Sequence, residues 1–143
     1  MKLSRAALYG LHCLLQLAEN DQQGPVPCRA LAERGRMPER FLLQVLRTMV
    51  NADLLVSTRG VEGGYRLARP AAEITLLDLV EATEGKLTPE PPDVGNLSPA
   101  VSAQITAGLA EAVDAQRRCL AGVTMAELLA AEPEQADQHA VAG

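Results

Sequence analysis

Hydrophobic and polar positions recur at helical spacing through most of the chain. Ser4 is a favourable N-cap residue for a first helix that should end near Asn20. A short second helix, from Cys28 to Arg34, should stop at Gly35, because glycine accepts the backbone angles that follow a helix. The apolar stripe predicted for the first helix comprises Ala7, Leu8, Leu11, Leu14, Leu15 and Ala18.

A third helix is predicted between Pro38 and about Asn51. Proline suits a first helical turn, where its missing N–H would have no partner. One side of this helix is apolar, and its positions are Phe41, Leu42, Val45, Leu46 and Met49. The opposite side, predicted to be exposed, carries Arg40, Leu43, Gln44 and Arg47.

The spacing changes from helical to alternating after the third helix. Leu55 to Ser57 and Tyr65 to Leu67 are predicted to be short strands around a turn. Glycines at positions 60, 63 and 64 favour a tight turn or a close approach of the backbone. The earlier segment "DQQGPVP" is predicted to be a loop. Three helices followed by one hairpin is the element order of a winged helix-turn-helix domain.

Two further helices and an irregular linker are predicted in the second half. Thr75 and Asp78 have the spacing of a capping box, which starts a helix from Leu76 to Glu84. The proline-rich segment "GKLTPEPPDVGNLSP" favours an irregular linker. It ends at Ser98, the cap of a long helix from Pro99 to about Ala121. We therefore divide the chain into a winged domain (1–85), a linker (86–98), dimerisation helices (99–131, the last started by a second capping box) and a flexible tail (132–143).

The long helix carries an apolar stripe of its own. With a linker before it, this stripe has little of its own domain to bury against, so its partner is either a second copy of the chain or the first helix of the same chain. We favour the second copy, and hence a homodimer. The interface residues predicted on this basis are Val101, Ile105, Leu109, Ala112 and Val113.

Composition and charge narrow the class of protein. Hydrophobic residues make up 48% of the chain but aromatic residues only 2%, which favours packed helices over a sheet sandwich. The net charge of −5 hides an asymmetry: residues 1–70 carry +4 and residues 71–143 carry −9. A basic first half is typical of a surface for a polyanion. Polar residues interrupt every apolar run near the start, so we expect a cytoplasmic protein without a membrane partner.

The three cysteines, Cys13, Cys28 and Cys119, form no CxxC pair, which argues against a disulfide framework and against a zinc site. Cys13 lies off the predicted stripe of the first helix and is expected to be exposed or at a second interface. It is either a candidate thiol sensor or a small filler residue, and we favour the filler. His12 beside it points about 100° away, so the two do not converge on one metal ion.

Several segments together resemble one family. The start "MKLSRAALYGLHCLLQLA", the "GPVP" before the second helix, and "RGVEGGYRLARP" followed by "ITLLDLVEATEG" are similar to the IscR/NsrR/CymR-type (Rrf-two) bacterial transcription regulators. The resemblance covers roughly residues 1–130. It implies a dimeric winged helix-turn-helix protein that binds a palindromic DNA operator.

The resemblance also implies roles for individual residues. The third helix would enter the major groove, with Arg40, Leu43, Gln44 and Arg47 reaching bases and phosphates. Arg59 would enter the minor groove. The turn residues Gly60, Gly63 and Gly64 would let the backbone approach the DNA, whereas Tyr65 either packs the hairpin onto the third helix or touches DNA.

The linker departs from the family pattern. Cluster-bearing relatives hold an iron-sulfur cluster through three cysteines there, and this chain has none between Lys86 and Ala103. We therefore expect a member without a cofactor, and any small effector should bind between the linker and the long helices. A protein-docking module is the alternative function. An enzyme is disfavoured, because no set of catalytic residues is evident.

Overall fold

The computed structural model describes residues 1–90, 93 and 95–133. The predicted tail therefore lies almost wholly outside the described residues. The described elements follow the predicted order. They are α1 (Arg5–Glu19), α2 (Cys28–Gly35), α3 (Glu39–Asn51), β1 (Leu55–Thr58), β2 (Gly64–Leu67), a 3₁₀ turn (Ala71–Glu73), α4 (Leu76–Glu84), α5 (Pro99–Ala121) and α6 (Met125–Ala131).

The buried face of α1 coincides only in part with the predicted stripe, with which it shares Ala7 and Leu14. Leu8 is 44% exposed, whereas the buried positions are Ala7, Gly10, Cys13, Leu14, Gln16 and Leu17. Small residues on this face let α3 and α4 come close: a Cβ added at Gly10 would lie only 2.8 Å from Cδ1 of Leu79. The prediction followed the large aliphatic residues, but close helix packing selects the small ones.

The turn between α2 and α3 also differs in detail. Gly35 is the last residue of α2, and Arg36 adopts the left-handed conformation that ends it, with φ 51°. Gly35 is still favoured, because a Cβ there would force the terminal methyl of Met37 to move and would lie 3.2 Å from the amide of Gln16. The prediction was therefore right about the glycine and wrong about its reason.

The hairpin of β1 and β2, residues 55–67, is called the wing below. Its strands are antiparallel, with Leu55 opposite Leu67 and Thr58 opposite Gly64. A third segment pairs with it: the amide of Tyr65 donates to Val26 at 2.8 Å, and the amide of Val26 donates to Tyr65 at 2.9 Å. The loop predicted before α2 thus ties the wing to the helices.

Helix α6 completes the core of the winged domain. Met125 is fully buried and packs with Leu14, Ile74 and Leu79. The two predicted capping boxes, at Thr75 and Thr124, both form, and they lie side by side in a short backbone bridge. The sequence grouped α6 with the long helix, but its packing belongs to the N-terminal helices.

Helix α5 stands apart from this core, since none of its residues is buried. It contacts α4, where the Arg117 guanidinium lies 2.7 Å from the Glu81 carboxylate and donates to the Leu87 carbonyl at 3.3 Å. The Arg117 hydrogen bond lowers the pKa of Glu81. One ion pair thus joins α4, α5 and the start of the linker.

Candidate nucleic-acid interface

Helix α3 divides into a buried and an exposed side. Leu42, Val45, Leu46 and Met49 are buried in the core, whereas Arg40, Gln44 and Arg47 are exposed, as predicted. Phe41 was predicted to be buried but is 36% exposed, and its ring contacts the edge of Tyr9 at a centroid distance of 5.5 Å. Phe41 therefore links α3 to α1 at the boundary of the exposed face.

The exposed face of α3 is not centred on Leu43. That residue is half-buried, while Thr48 and Asn51 are exposed. At 100° per residue, Asn51 lies one turn beyond Arg47 and two turns beyond Gln44. Helical spacing was sufficient to find both Thr48 and Asn51, and the sequence analysis missed them because it stopped the polar side at Arg47.

The exposed arginines of α3 and Arg59 of the wing lack carboxylate partners in the described part of the chain. Among residues 1–90, 93 and 95–133, none of the ion pairs includes Arg40, Arg47 or Arg59. The pairs that do form are Arg29–Glu33, Arg34–Glu19, Arg69–Asp78 and Arg117–Glu81. The cations of α3 and the wing are therefore available to an anionic partner.

Arg59 directly follows β1 and is exposed at the base of a four-residue turn. The amide of Gly63 donates to the carbonyl of Gly60 at 3.0 Å and closes that turn. Val61 and Glu62 occupy its two central positions, and both are exposed. The turn therefore carries a cation, Arg59, at its base and a carboxylate, Glu62, at its apex. The sequence prediction considered only Arg59.

The wing glycines meet requirements of the protein itself. A Cβ at Gly63 would collide with the Thr58 carbonyl, and one at Gly64 would collide with the backbone of Val26. Gly60 has open space around it but φ +114°, which favours glycine. Their conformations are therefore explained without an approach to DNA.

Tyr65 is half-buried and packs against the core. Together with Arg47, Asn51 and Ser57 it lines a shallow depression between α3 and the wing. Burial is the main cause of its raised pKa, the Cys28 thiol adds to it, and Arg47 opposes it. Of the two roles considered for Tyr65, packing the wing onto α3 is the one that this environment favours.

Alternation along β2 reveals one further cation. Arg66 is exposed and lies opposite the exposed Val56, between Tyr65 and the buried Leu67. A strand with this alternation presents Arg66 on its outer face, beside the base of the wing. The strand over Tyr65 to Leu67 was predicted, but Arg66 was not included among the DNA-contacting residues, although its alternation with Tyr65 and Leu67 could have indicated it.

The expected exposure of Cys13 is wrong, whereas the favoured interpretation, a small filler residue, agrees with the structure. The residue is fully buried in the core, and burial raises the pKa of its thiol to about 12, with Cys28 as a smaller cause. A protonated, inaccessible thiol does not react with oxidants, so Cys13 acts as a small packing residue. Cys28 is half-buried and Cys119 is exposed.

The residues predicted for the dimer interface form an exposed apolar strip on α5. Val101, Ile105 and Leu109 are 44%, 37% and 40% exposed, Ala112 is exposed and Val113 is half-buried. A depression of about 480 Å³ lies beside this strip, between Leu109, Gln116 and the linker residues Glu90 and Asp93.

In the described part of the chain, no helix is long and apolar enough to cross a membrane.

The helical core, the helix-turn-helix of α2 and α3, the wing and the long α5 define the winged helix-turn-helix class. The chain matches the Rrf2 family, described as an iron-dependent transcriptional regulator, over residues 3–131. It therefore belongs to the Rrf2 family, as the resemblance implied, and its relatives are transcription regulators rather than enzymes.

Individual relatives resemble different lengths of the chain. The regulator CymR of Bacillus subtilis is 34% identical over 62% of this chain and 64% of its own length, so the match spans just under two thirds of that relative. Protein aau3 of Rhizobium meliloti is 33% identical over 94% of this chain and 88% of its own length.

Solved structures confirm the predicted fold class. The structure of CymR, titled the global cysteine regulator of B. subtilis, superposes with a TM-score of 0.75 at 27% identity, covering 93% of this chain and 99% of CymR. T. potens IscR gives a TM-score of 0.68 at 26% identity, with 96% of each chain covered. Both likenesses extend across α5 as well as the winged domain.

The iron in the family's description does not fit the residues of this chain. The linker holds no cysteine, Cys13 is inside the core, and Cys119 is exposed on α5. In the described ranges, no group of three or more His, Cys, Asp or Glu side chains is placed to hold a metal ion. Thiolates are the usual ligands of iron-sulfur clusters, and no set of them converges among these residues.

Proposed function

We propose that the protein is a sequence-specific DNA-binding transcription regulator, most simply a repressor, that binds a palindromic operator as a homodimer. Helix α3 enters the major groove and the wing enters the minor groove. The observation that carries this proposal is that Arg40 and Arg47 on α3 and Arg59 on the wing are exposed and, among the described residues, take part in no ion pair. An acidic chain that exposes free arginines on a helix and on the hairpin beside it is suited to a polyanion.

The exposed strip of α5 supports the homodimer. Val101, Ile105 and Leu109 lie one turn apart along the helix and remain 37–44% exposed in the single chain. Two copies related by a twofold axis bury the same strip twice and place two α3 helices for two half-sites. A palindromic operator follows from that symmetry.

The effector is proposed to be a small molecule rather than a metal cluster. The depression between the linker and α5 is of suitable size for one, and the linker contains no cysteine that could bind a cluster. Anaerobically purified protein should be colourless. A visible charge-transfer band with stoichiometric iron and sulfide would show that the cluster assignment is wrong.

Selection from a random pool of duplex DNA tests the proposed function directly. The purified protein should enrich fragments that share a palindrome, and these fragments define the operator. Failure to enrich any sequence, with the protein folded and dimeric, would contradict sequence-specific DNA binding and favour a protein-docking module.

Two arginine variants then distinguish the contacts made by α3 from those made by the wing. Arg47 is late in α3, where side chains reach phosphates, so Arg47→Ala should weaken binding to all duplexes about equally. Arg59→Ala should lose about 1–3 kcal/mol per half-site on the operator and less on operators flanked by G·C pairs, whose minor groove is wider. Fluorescence anisotropy titrations measure both effects. An Arg59→Ala protein that binds its operator as well as the wild type would show that the wing stays outside the groove.

A further inference from the structure

We propose that Lys2 and Arg5, at the start of α1, form a second phosphate-contact site, which grips the DNA backbone on the side of α3 opposite the wing. This inference rests on the proposed function and extends it to residues that neither the family resemblance nor the α3 face included. It makes the interface continuous from the wing, across α3, to α1.

The first step is the position of α1 beside α3. Tyr9 of α1 and Phe41 of α3 make an edge-to-face contact that joins the two helices. Their ring centroids are 5.5 Å apart. Beyond it, Ala6 lines one shallow depression together with Phe41, Gln44 and Thr48. The side chain of Gln44, which faces outward on α3, thus shares a surface with the first turn of α1.

The second step is the direction around α3. Arg47 and Asn51 line the depression toward the wing, whereas Phe41, Gln44 and Thr48 line the depression toward α1. At 100° per residue, Arg40 and Gln44 form a ridge with Asn51 between them. Arg47 lies about 20° beyond Arg40 on the wing side, whereas Thr48 and Phe41 lie about 40° and 60° beyond Gln44 on the α1 side. A duplex that receives this ridge in its major groove therefore has one backbone near the wing and the other near α1.

The third step is the charge at the start of α1. Arg5 and Tyr9 are one turn apart on the same face, and Lys2, Arg5 and Tyr9 line one further depression. Lys2 and Arg5 are exposed, and in the described residues neither takes part in an ion pair. The neighbouring carboxylate, Glu84, accepts the Ser4 amide at 2.6 Å. Two free cations at the flank of a recognition helix match the phosphates that border a major groove.

The test measures operator affinity by fluorescence anisotropy at several salt concentrations, for the wild type, Arg5→Gln and the double variant Lys2→Ala/Arg5→Gln. Each lost phosphate contact lowers the slope of log K against log salt by about 0.9, so Arg5→Gln should lower it by about 1.8 in a dimer. Arg5→Lys keeps the charge and should restore the slope. Arg118→Ala is the matched control, because Arg118 is exposed near the end of α5 and loses the same charge.

Ethylation interference on the same operator locates the contacts. Ethylated phosphates on the side away from the wing should impair the wild type and have no effect on the double variant. The inference is overturned if both variants keep the wild-type slope and the wild-type interference pattern while Arg47→Ala lowers the slope. That outcome leaves the proposed function standing, whereas a wild type that binds no duplex removes both.

Discussion

Helices α3 and α5 are both amphipathic, yet they place their apolar sides in opposite environments. The apolar side of α3, including Leu46 and Met49, is buried in the domain except at Phe41, and its arginines face outward. The apolar side of α5 is itself exposed, with Ile105 and Leu109 at 37% and 40%. The same pattern of residues therefore leaves a charged surface on one helix and an apolar surface on the other.

This difference indicates the chemistry of each partner. Exposed arginines without ion pairs are suited to a highly charged ligand, whereas an exposed apolar strip is suited to another protein surface. Helix α5 contacts the domain mainly through α4, so charge changes on it need not disturb α3. Substitutions can therefore disrupt DNA binding by α3 and association through α5 independently.

The largest effect is expected on α5. Ile105→Glu places a charge in the proposed dimer interface, where burial without a partner costs several kcal/mol and occurs twice across a twofold axis. The variant should sediment as a monomer that keeps its helical circular dichroism. Gln104→Glu, one position away on the exposed helix, is the matched control and should stay dimeric. An unchanged dimer in Ile105→Glu would show that α5 does not form the interface.

The next prediction compares how much the apolar sides of α3 and α5 each contribute to the free energy of unfolding. In the Ile105→Glu background, Leu46→Ala should lower the free energy of unfolding by about 2–5 kcal/mol, because it leaves a cavity in the core. In the same background Leu109→Ala should lower it by less than about 1 kcal/mol, since that side chain is exposed in the single chain. Urea unfolding measures both. Equal losses would contradict the assignment of the two sides.

A smaller effect comes from the thiols of the two regions. Burial raises the pKa of Cys13 in the core from 9.0 to about 12, whereas Cys119 on α5 is exposed. Below pH 9 the thiol is protonated in both folded and unfolded chains, so its contribution to stability is fully present. Between pH 9 and 12 only the unfolded chain ionises, so stability falls, by about 1 kcal/mol at pH 10.

Urea unfolding at pH 8 and pH 10 checks this effect. The wild type should lose about 1 kcal/mol more than Cys13→Ala over that interval. In the folded protein a thiol reagent should modify Cys119 rapidly and leave Cys13 unmodified. Rapid modification of Cys13, or equal losses in both proteins, would show that the thiol is accessible.

Local signals in the sequence were sufficient for the elements and for much of the interface. The bounds of α4 and α5 and both capping boxes were predicted, because caps and helical spacing act within a few residues. The exposure of Arg40, Gln44 and Arg47 followed from the same spacing.

Contacts between distant residues were not predictable in this way. The bridge from Val26 to Tyr65, the packing of Met125 and the burial of Cys13 depend on which elements meet, and no local pattern records that. Leu8 was placed inside because it is large, whereas the α1 contact requires small residues such as Gly10. The wing glycines were interpreted as allowing an approach to DNA. The collisions that a side chain at Gly63 or Gly64 would cause arise only in the folded hairpin, so the sequence did not reveal them.

The salt dependence of operator binding by the wild type tests the central claim most directly. The chain has a net charge of −5, so only a local cationic surface can give a strong dependence. Arg47 and Arg59 of two subunits supply four cations, and at about 0.9 each the slope of log K against log salt should be about −3.6 or steeper. Anisotropy titrations from low to physiological salt give this slope. A slope near zero would contradict the assignment of α3 and the wing to DNA.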